Sequence, residues 1–226
     1  MLTEKKKAIT FSFDDGVRQD IRLIEIFNRY NLKATFNLNS GRLGLDNTVS
    51  PEDVKHIYQA HEVAAHTLTH SRLPDISDNS EVIRQVEQDR IALSELVGYE
   101  VCGMSYPGGN KNNDERTAKL IREHTGIKYA RIWETNHSFN LQKDLYRFSG
   151  TADVYNEADK LLELADKFLR LQTDLPSIFY LWGHAYEFDY DPASWKRFEE
   201  LCAFISGKPD IFYGTNREVL LHHNWR

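Results

Sequence analysis

The feature that most constrains this chain is the alternation of short β-prone runs with amphipathic segments, sustained from residue 8 to residue 213. Residues 8–13 (AITFSF) are a first β-rich run. Residues 17–30 follow with Ile21, Ile24 and Phe27 at helical spacing. Further strands are predicted at 33–38, 62–65, 103–106, 128–132, 177–182 and 211–213, with helices at 80–97, 114–124, 156–171 and 192–205. Ser50-Pro51-Glu52-Asp53 opens one more helix, with Ser as the cap and Pro in its first turn. The stretch 134–150 is less regular. Alternation of this kind points to a parallel sheet with helices outside, because each helix returns the chain to the edge where the next strand begins. The fold class is α/β, with the sheet open or closed; about seven strands suggest a barrel short of eight units. No compositional shift splits the 226 residues, so one domain spanning 1–226 is expected.

Composition removes several function classes. A net charge of −6 gives a nucleic-acid partner no support. Neither GxGxxG nor GxxxxGK[ST] occurs, so nucleotide binding has none either. There is no apolar run of about 18 residues to cross a membrane. Lys5-Lys6-Lys7 is not followed by the apolar stretch of a secretory signal, since Asp14 and Asp15 interrupt it; a cytoplasmic location is expected. Cys102 and Cys202 lie far apart and form no CxxC pattern, so buried thiols are expected rather than a disulfide framework.

The polar clusters fall at the C-terminal ends of the predicted strands. They are Asp14-Asp15, His66 to His70, Pro107-Gly108-Gly109, Arg131 and His184. In parallel α/β folds that edge carries the active site. Taken alone, Asp14-Asp15-Gly16 reads equally as a helix cap with an extra acid. His66-Thr67-Leu68-Thr69-His70 places two imidazoles at i and i+4, on one face if the segment is helical, but two surface histidines would look the same. Together they give one carboxylate and two imidazoles with an open position, the pattern of a catalytic zinc ion. Asp14 is then free to act as base. A cation would also relieve the repulsion between the paired acids. His184 ends the apolar run SIFYLWG, a setting suited to proton donation near neutral pH.

Phe11-Ser12-Phe13-Asp14-Asp15-Gly16, then His66 to His70, Tyr106-Pro107-Gly108-Gly109 and Leu181-Trp182-Gly183-His184 resemble, in order, the motifs of the polysaccharide deacetylase family (NodB homology, carbohydrate esterase family four). The resemblance runs from about residue 8 to 215, its first two motifs being the more specific. It implies a distorted (β/α) barrel and removal of acetyl groups from N- or O-acetylated sugars. It implies Asp14 as base, Asp15, His66 and His70 as ligands of a divalent ion (Zn2+ first, Co2+ or Ni2+ as alternatives), and His184 as acid. The Gly108 N–H would help hold the oxyanion, with Tyr106 and Trp182 lining the substrate pocket.

The sequence departs from the family pattern at two places. Ser105 stands where the third motif usually begins with an arginine that orients the base; Arg131, at the end of the next strand, is the candidate replacement. The fourth motif, an acid with a tryptophan, has only partial candidates in Trp133-Glu134 and Asp153, so the acid that tunes His184 is unassigned. Tyr186-Glu187-Phe188-Asp189 reads as a subgroup feature. The implied partner is an acetylated sugar or oligosaccharide. The competing readings are hydrolysis of a non-glycan C–N bond, such as a cyclic amide or ureide, and a non-catalytic glycan-binding domain, against which the full set of five residues argues.

Overall fold

The computed structural model describes residues 5–222. Its strands and helices alternate as β1 (Lys7–Asp14), α1 (Asp20–Arg29), β2 (Ala34–Leu38), α2 (Pro51–Ile57), β3 (Glu62–Ala65), α3 (Asn79–Val97), β4 (Gly103–Ser105), α4 (Glu115–His124) and β5 (Tyr129–Thr135). The remainder runs β6 (Phe148–Gly150), β7 (Ala152–Asp153), α5 (Ala158–Arg170), β8 (Ser177–Gly183), α6 (Ser194–Ile205), β9 (Ile211–Tyr213) and α7 (Asn216–Leu220). The pairings between these strands are parallel, in the order β6-β5-β4-β3-β2-β1-β8-β7, with β9 added beside the start of β1.

The two ends of that order are consecutive in sequence, and this nearly closes the sheet. Phe148 pairs with Arg131 on β5, while Ala152 and Asp153 pair with Leu181 and Trp182 on β8. Thr151 between them donates its N–H to the Tyr180 carbonyl at 2.7 Å. Residues 148–153 therefore carry the sheet from one edge to the other, giving a distorted α/β barrel with helices outside. These strands had no signature in the sequence: they are three and two residues long, and the preceding segment has no period. Among the described residues no helix is long and apolar enough to cross a membrane.

Side-chain alternation explains where the chemistry sits. β1 is buried at every position, yet its two faces differ. Ile9, Phe11 and Phe13 point outward into the main apolar core, where Phe11 and Phe13 meet Phe27 of α1 and Phe198 of α6. Thr10, Ser12 and Asp14 have the opposite parity. So do Thr35 and Asn37 on β2, Glu62 and Ala64 on β3, Ser105 on β4, Arg131 on β5 and Tyr180 and Trp182 on β8. The inward-facing set is thus largely polar, and it continues past the strand ends to His66 and His184.

Candidate active site

Asp14 is the last residue of β1 and is 3% exposed. Its register partner is Asn37, whose Nδ2 donates to Asp14 Oδ1 at 2.8 Å and to Ser12 Oγ at 2.9 Å. Ser105 Oγ donates to the same Oδ1 at 2.9 Å. The Arg131 guanidinium, 1% exposed, closes on Oδ2 as a buried ion pair. Ser105 and Arg131 are register partners on β4 and β5. The cation has therefore moved one strand sideways from the usual position, and the serine left behind still supplies a donor. Beneath Arg131 lies the Trp182 ring, 4.2 Å from the guanidinium carbon. Burial alone would push the Asp14 carboxyl up; Arg131, His66 and His184 outweigh it and hold the group well below the usual carboxylate range.

The next residue turns sharply. Asp15 has φ +80° and Gly16 φ +64°; a Cβ at Gly16 would come within 2.7 Å of Leu38 Cδ2. The positive φ at Asp15 is a conformation L-residues rarely hold, and its N–H is fixed to the Asn37 carbonyl at 3.0 Å. The loop after β3 is strained as well. Thr67 has φ +63° and His70 φ +61°, so the HxxxH segment is not helical. Asn39 Nδ2 donates to the carbonyls of His66 and Thr67, and Asp89 of α3 accepts the His66 N–H at 2.9 Å. The two imidazoles meet edge to face, with centroids 5.0 Å apart.

The result is a convergence of acceptors. Asp15 Oδ1 lies 3.6 Å from His66 Nε2 and 3.3 Å from His70 Nε2, and the three ligand atoms lie within 4.8 Å of one another. His66 Nδ1 is 2.9 Å from the Ser105 carbonyl oxygen, which fixes the proton on Nδ1 and turns the Nε2 lone pair toward Asp15. Asp15 Oδ1 is buried without a hydrogen-bond donor. An orphaned carboxylate oxygen facing an imidazole lone pair fits a divalent cation, and two nitrogens with one oxygen suit Zn2+, Co2+ or Ni2+.

His184 follows β8, with Glu187 Oε2 3.3 Å from its Nδ1 and accepting its backbone N–H at 3.1 Å. Burial lowers the imidazole pKa; Glu187, Asp14 and Asp15 reverse that and push it up to about 9. Glu187 is thus the acid beside His184 that the sequence left unassigned. The two partial candidates lie elsewhere: Asp153 caps the turn before α5, accepting from Tyr155 and Asn156, and Glu134 accepts from the Lys111 N–H.

Asp14, Asp15, His66, His70, Arg131 and His184 line one cleft of about 200 Å3 with Tyr106, Gly108, Trp133 and Trp182. Tyr106 contributes a wall only, since its hydroxyl is spent on the Tyr146 carbonyl at 3.0 Å. Gly108 has φ +87°. Three supporting residues escaped the sequence reading, Asn37, Asn39 and Asp89, and Glu187 was singled out there only as part of a subgroup feature, without its role. Asp89 had a signal, being the lone acid on the stripe Val82, Val86, Leu93 and Val97 of a predicted helix. Its burial and the two N–H groups it serves, those of Ser40 and His66, leave its carboxyl pushed up to about 7, burial being the larger effect.

A barrel with an Asp–His–His centre, a guanidinium-held carboxylate and an opposing imidazole defines a class of hydrolytic site. Residues 2–130, more than half of the chain, match the family model described as polysaccharide deacetylase, and the chain belongs to that family. Solved structures agree on the fold. A Mycobacterium smegmatis protein assigned to the polysaccharide deacetylases superposes with a TM-score of 0.69 at 18% identity, over 98% of this chain and 91% of that one. The CE4 domain of a multidomain xylanase from the hindgut metagenome of Trinervitermes trinervoides gives 0.57 at 17% identity, over 90% and 82%. A CE4 family pseudoenzyme from Bacillus anthracis gives 0.58 at 16% identity, over 98% and 67%. Fold likeness therefore does not separate active from inactive members, and the site residues must. The chain spans about half the length of other solved relatives, 53% of one and 44% of another. No curated protein matches it.

Proposed function

We propose that this chain hydrolyses acetyl groups, foremost acetamido groups, on sugars or glycans, with a divalent ion held by Asp15, His66 and His70. The observation that carries the reading is geometric: the ligand atoms of Asp15, His66 and His70 lie within 4.8 Å of one another in a cleft that also holds Asp14, ion-paired to Arg131, and His184, beside Glu187, with the Asp14 carboxyl pushed down and the His184 imidazole pushed up. Pairs of titratable groups pushed apart in this way mark base and acid. When bound, the ion supplies Lewis acidity, polarising the acetyl carbonyl and easing ionisation of water.

The chain's own residues do the rest. Asp14 Oδ1 takes hydrogen bonds from Asn37 and Ser105, and Oδ2 takes one from Arg131, which leaves a lone pair on Oδ2 for a proton from water. Arg131 acts as a positioning residue: it fixes that oxygen and keeps it ionised. The Gly108 N–H is the candidate donor to the developing oxyanion. His184, charged at neutral pH, protonates the departing amine. Trp182 supports Arg131 from below and closes the pocket floor.

The test is metal content and acetate release across a panel of acetylated sugars and cyclic amides, for the wild type and for His66→Ala and His70→Ala. Both variants should lose bound metal and acetate release together. Acetate release undiminished by a chelator sinks the metal assignment, and turnover of cyclic amides alone sinks the acetyl assignment.

A further inference from the structure

Beside the candidate active site lies a second concavity, of about 480 Å3. Asp15, His70 and Tyr186 line both, so the two are continuous across the metal-facing edge of the site. The residues that build the second cleft beyond that seam belong to no step of the hydrolysis, yet they share a character.

A file of aromatic rings leads into it from His184. The His184 and Tyr186 rings lie 5.2 Å apart, Tyr186 and Tyr190 6.0 Å, and Tyr190 and Tyr155 5.9 Å. Tyr155 meets Tyr190 nearly edge-on, at 81°, so the rings buttress one another and the shelf is ordered before anything binds. Tyr190 is 67% exposed, so most of its ring is open to solvent. Around the shelf stand short amides already held in place: Gln19 Nε2 donates to Asp189 Oδ2 at 2.9 Å, and Asn47 Nδ2 to Gln19 Oε1 at 2.6 Å. An apolar face ringed by fixed amides and carboxylates matches a sugar ring, which has C–H faces and a rim of hydroxyls. A lipid or an apolar helix would leave those amides dry.

Arg42 and Asp46 line the same cleft, Arg42 half-buried and Asp46 exposed to solvent, which screens its charge. Among the described residues no carboxylate comes within 4.0 Å of the Arg42 guanidinium and no side-chain hydrogen bond engages it. Most arginines of this acidic chain have an acid or a carbonyl partner. The loop that carries Arg42 is not loose: Thr48 Oγ1 donates to the Arg42 carbonyl at 2.7 Å, and the Val49 N–H ties the loop to Gly16 at 2.9 Å. A partly desolvated guanidinium held beside the site without a counterion is a receptor for an anion.

We infer that the second cleft is a subsite for a sugar unit adjoining the acetylated one, stacked on Tyr186 and Tyr190 and bearing an anionic substituent, carboxylate or phosphate, that pairs with Arg42. The inference rests on the deacetylase reading for its placement and narrows the substrate to acidic, acetylated glycans of at least two units. A small cyclic amide would occupy the first cleft alone.

Calorimetric binding to the purified, metal-loaded protein tests this without turnover. The probes are a neutral N-acetylated tetrasaccharide, a uronate-containing one of equal length and a phosphate-bearing one. At least one acidic probe should bind about tenfold or more tightly than the neutral one, the scale of a charge-assisted hydrogen bond. Arg42→Gln should erase that preference, and Tyr190→Ala should weaken every probe. Equal affinities in the wild type, a preference that survives Arg42→Gln, or no binding by any probe overturns the inference. Binding with the expected preference but no acetate release would instead overturn the deacetylase reading and leave the subsite standing.

Discussion

Two buried carboxylates sit at opposite ends of the same barrel interior, and the contrast between them separates structure from chemistry. Glu62, at the start of β3, accepts from Thr35 Oγ1 at 2.8 Å, from the Arg217 N–H at 2.9 Å and from Tyr129 Oη at 2.9 Å. Asp14, at the end of β1, also has three partners, all of them side chains. The number of hydrogen bonds is alike; the charge is not. Glu62 has neutral donors, so burial prevails and its pKa is raised. Asp14 has a guanidinium, and its pKa is lowered. Around Glu62 the backbone is regular strand. Around Asp14 it is strained at Asp15, Thr67 and His70, and Asp15 Oδ1 lacks a donor. Strain and an orphaned polar atom persist where other contacts over-determine them, and around Asp14 they coincide with the converging ligand atoms of Asp15, His66 and His70.

The largest effect that tests this contrast is expected from Asp14→Asn. Loss of a positioned base lowers kcat by roughly 10²–10⁴-fold. The measurement is steady-state acetate release per folded molecule, with metal content determined on the same sample. Bound metal should be retained, since Asp15, His66 and His70 are intact. Wild-type kcat in the variant would place Asp14 with Glu62 as a structural acid.

Arg131→Ala comes next and reads out in stability. Removing one partner of a buried ion pair leaves the other uncompensated and costs about 3–5 kcal/mol. Urea unfolding at neutral pH measures it. A loss under about 1 kcal/mol would mean that Asn37 and Ser105 hold the ionised carboxylate unaided. The same change at Arg84, whose pairing with Glu81 is exposed, should cost little by comparison.

Much of this contrast was legible in the sequence because it rests on local pattern. Asp14, Asp15, His66, His70 and His184 are spaced by strand ends, and strand ends follow from the alternation of β-prone and amphipathic runs. The role of Arg131 was reachable only through the family resemblance, in which Ser105 stands where an arginine is usual and a neighbouring strand end could supply one. Illegible residues depended on register or on loop closure. Asn37 serves Asp14 because β1 and β2 pair in one register, and a one-residue slip would turn it outward. Glu187 reaches His184 because residues 185–189 form a tight 3-10 turn. The strands that close the barrel are too short to show a period, and the HxxxH pair meets through left-handed backbone at Thr67 and His70 rather than through a helix.

Glu187→Gln tests the acid side. His184 has its pKa raised from 6.5 to about 9, so the protonated form required of an acid is present at neutral pH and is lost as pH rises through about 9. Removing the Glu187 charge should move that alkaline limb down toward 6.5, cutting activity at pH 8 while leaving that at pH 6 closer to wild type. Imidazole NMR titration of the metal-free protein gives the same shift without turnover. An unmoved limb would assign it to another group.

The smallest effect is expected at Glu62, and its sign is what matters. A carboxyl whose folded pKa is raised binds its proton more tightly folded than unfolded. Stability is then greatest below the ordinary value of 4.5 and falls as pH rises from there through the raised folded value. Asp14, with a lowered folded pKa, contributes in the opposite sense: its stabilisation is present above the ordinary value of 3.8 and is lost as pH falls through the folded one. Glu62→Gln should flatten the decline above pH 4.5 in urea-unfolding series, cost no more than about 1 kcal/mol at neutral pH because the amide keeps an acceptor for Thr35 and Arg217, and leave acetate release unchanged. A change in kcat on this substitution would show that the far end of the barrel is coupled to the near one through the polar residues between them, where Thr10 Oγ1 donates to Asn216 Oδ1 at 2.8 Å and Asn216 Nδ2 to Tyr180 Oη at 2.7 Å, and the division drawn from charge would then have to include those residues in the working site.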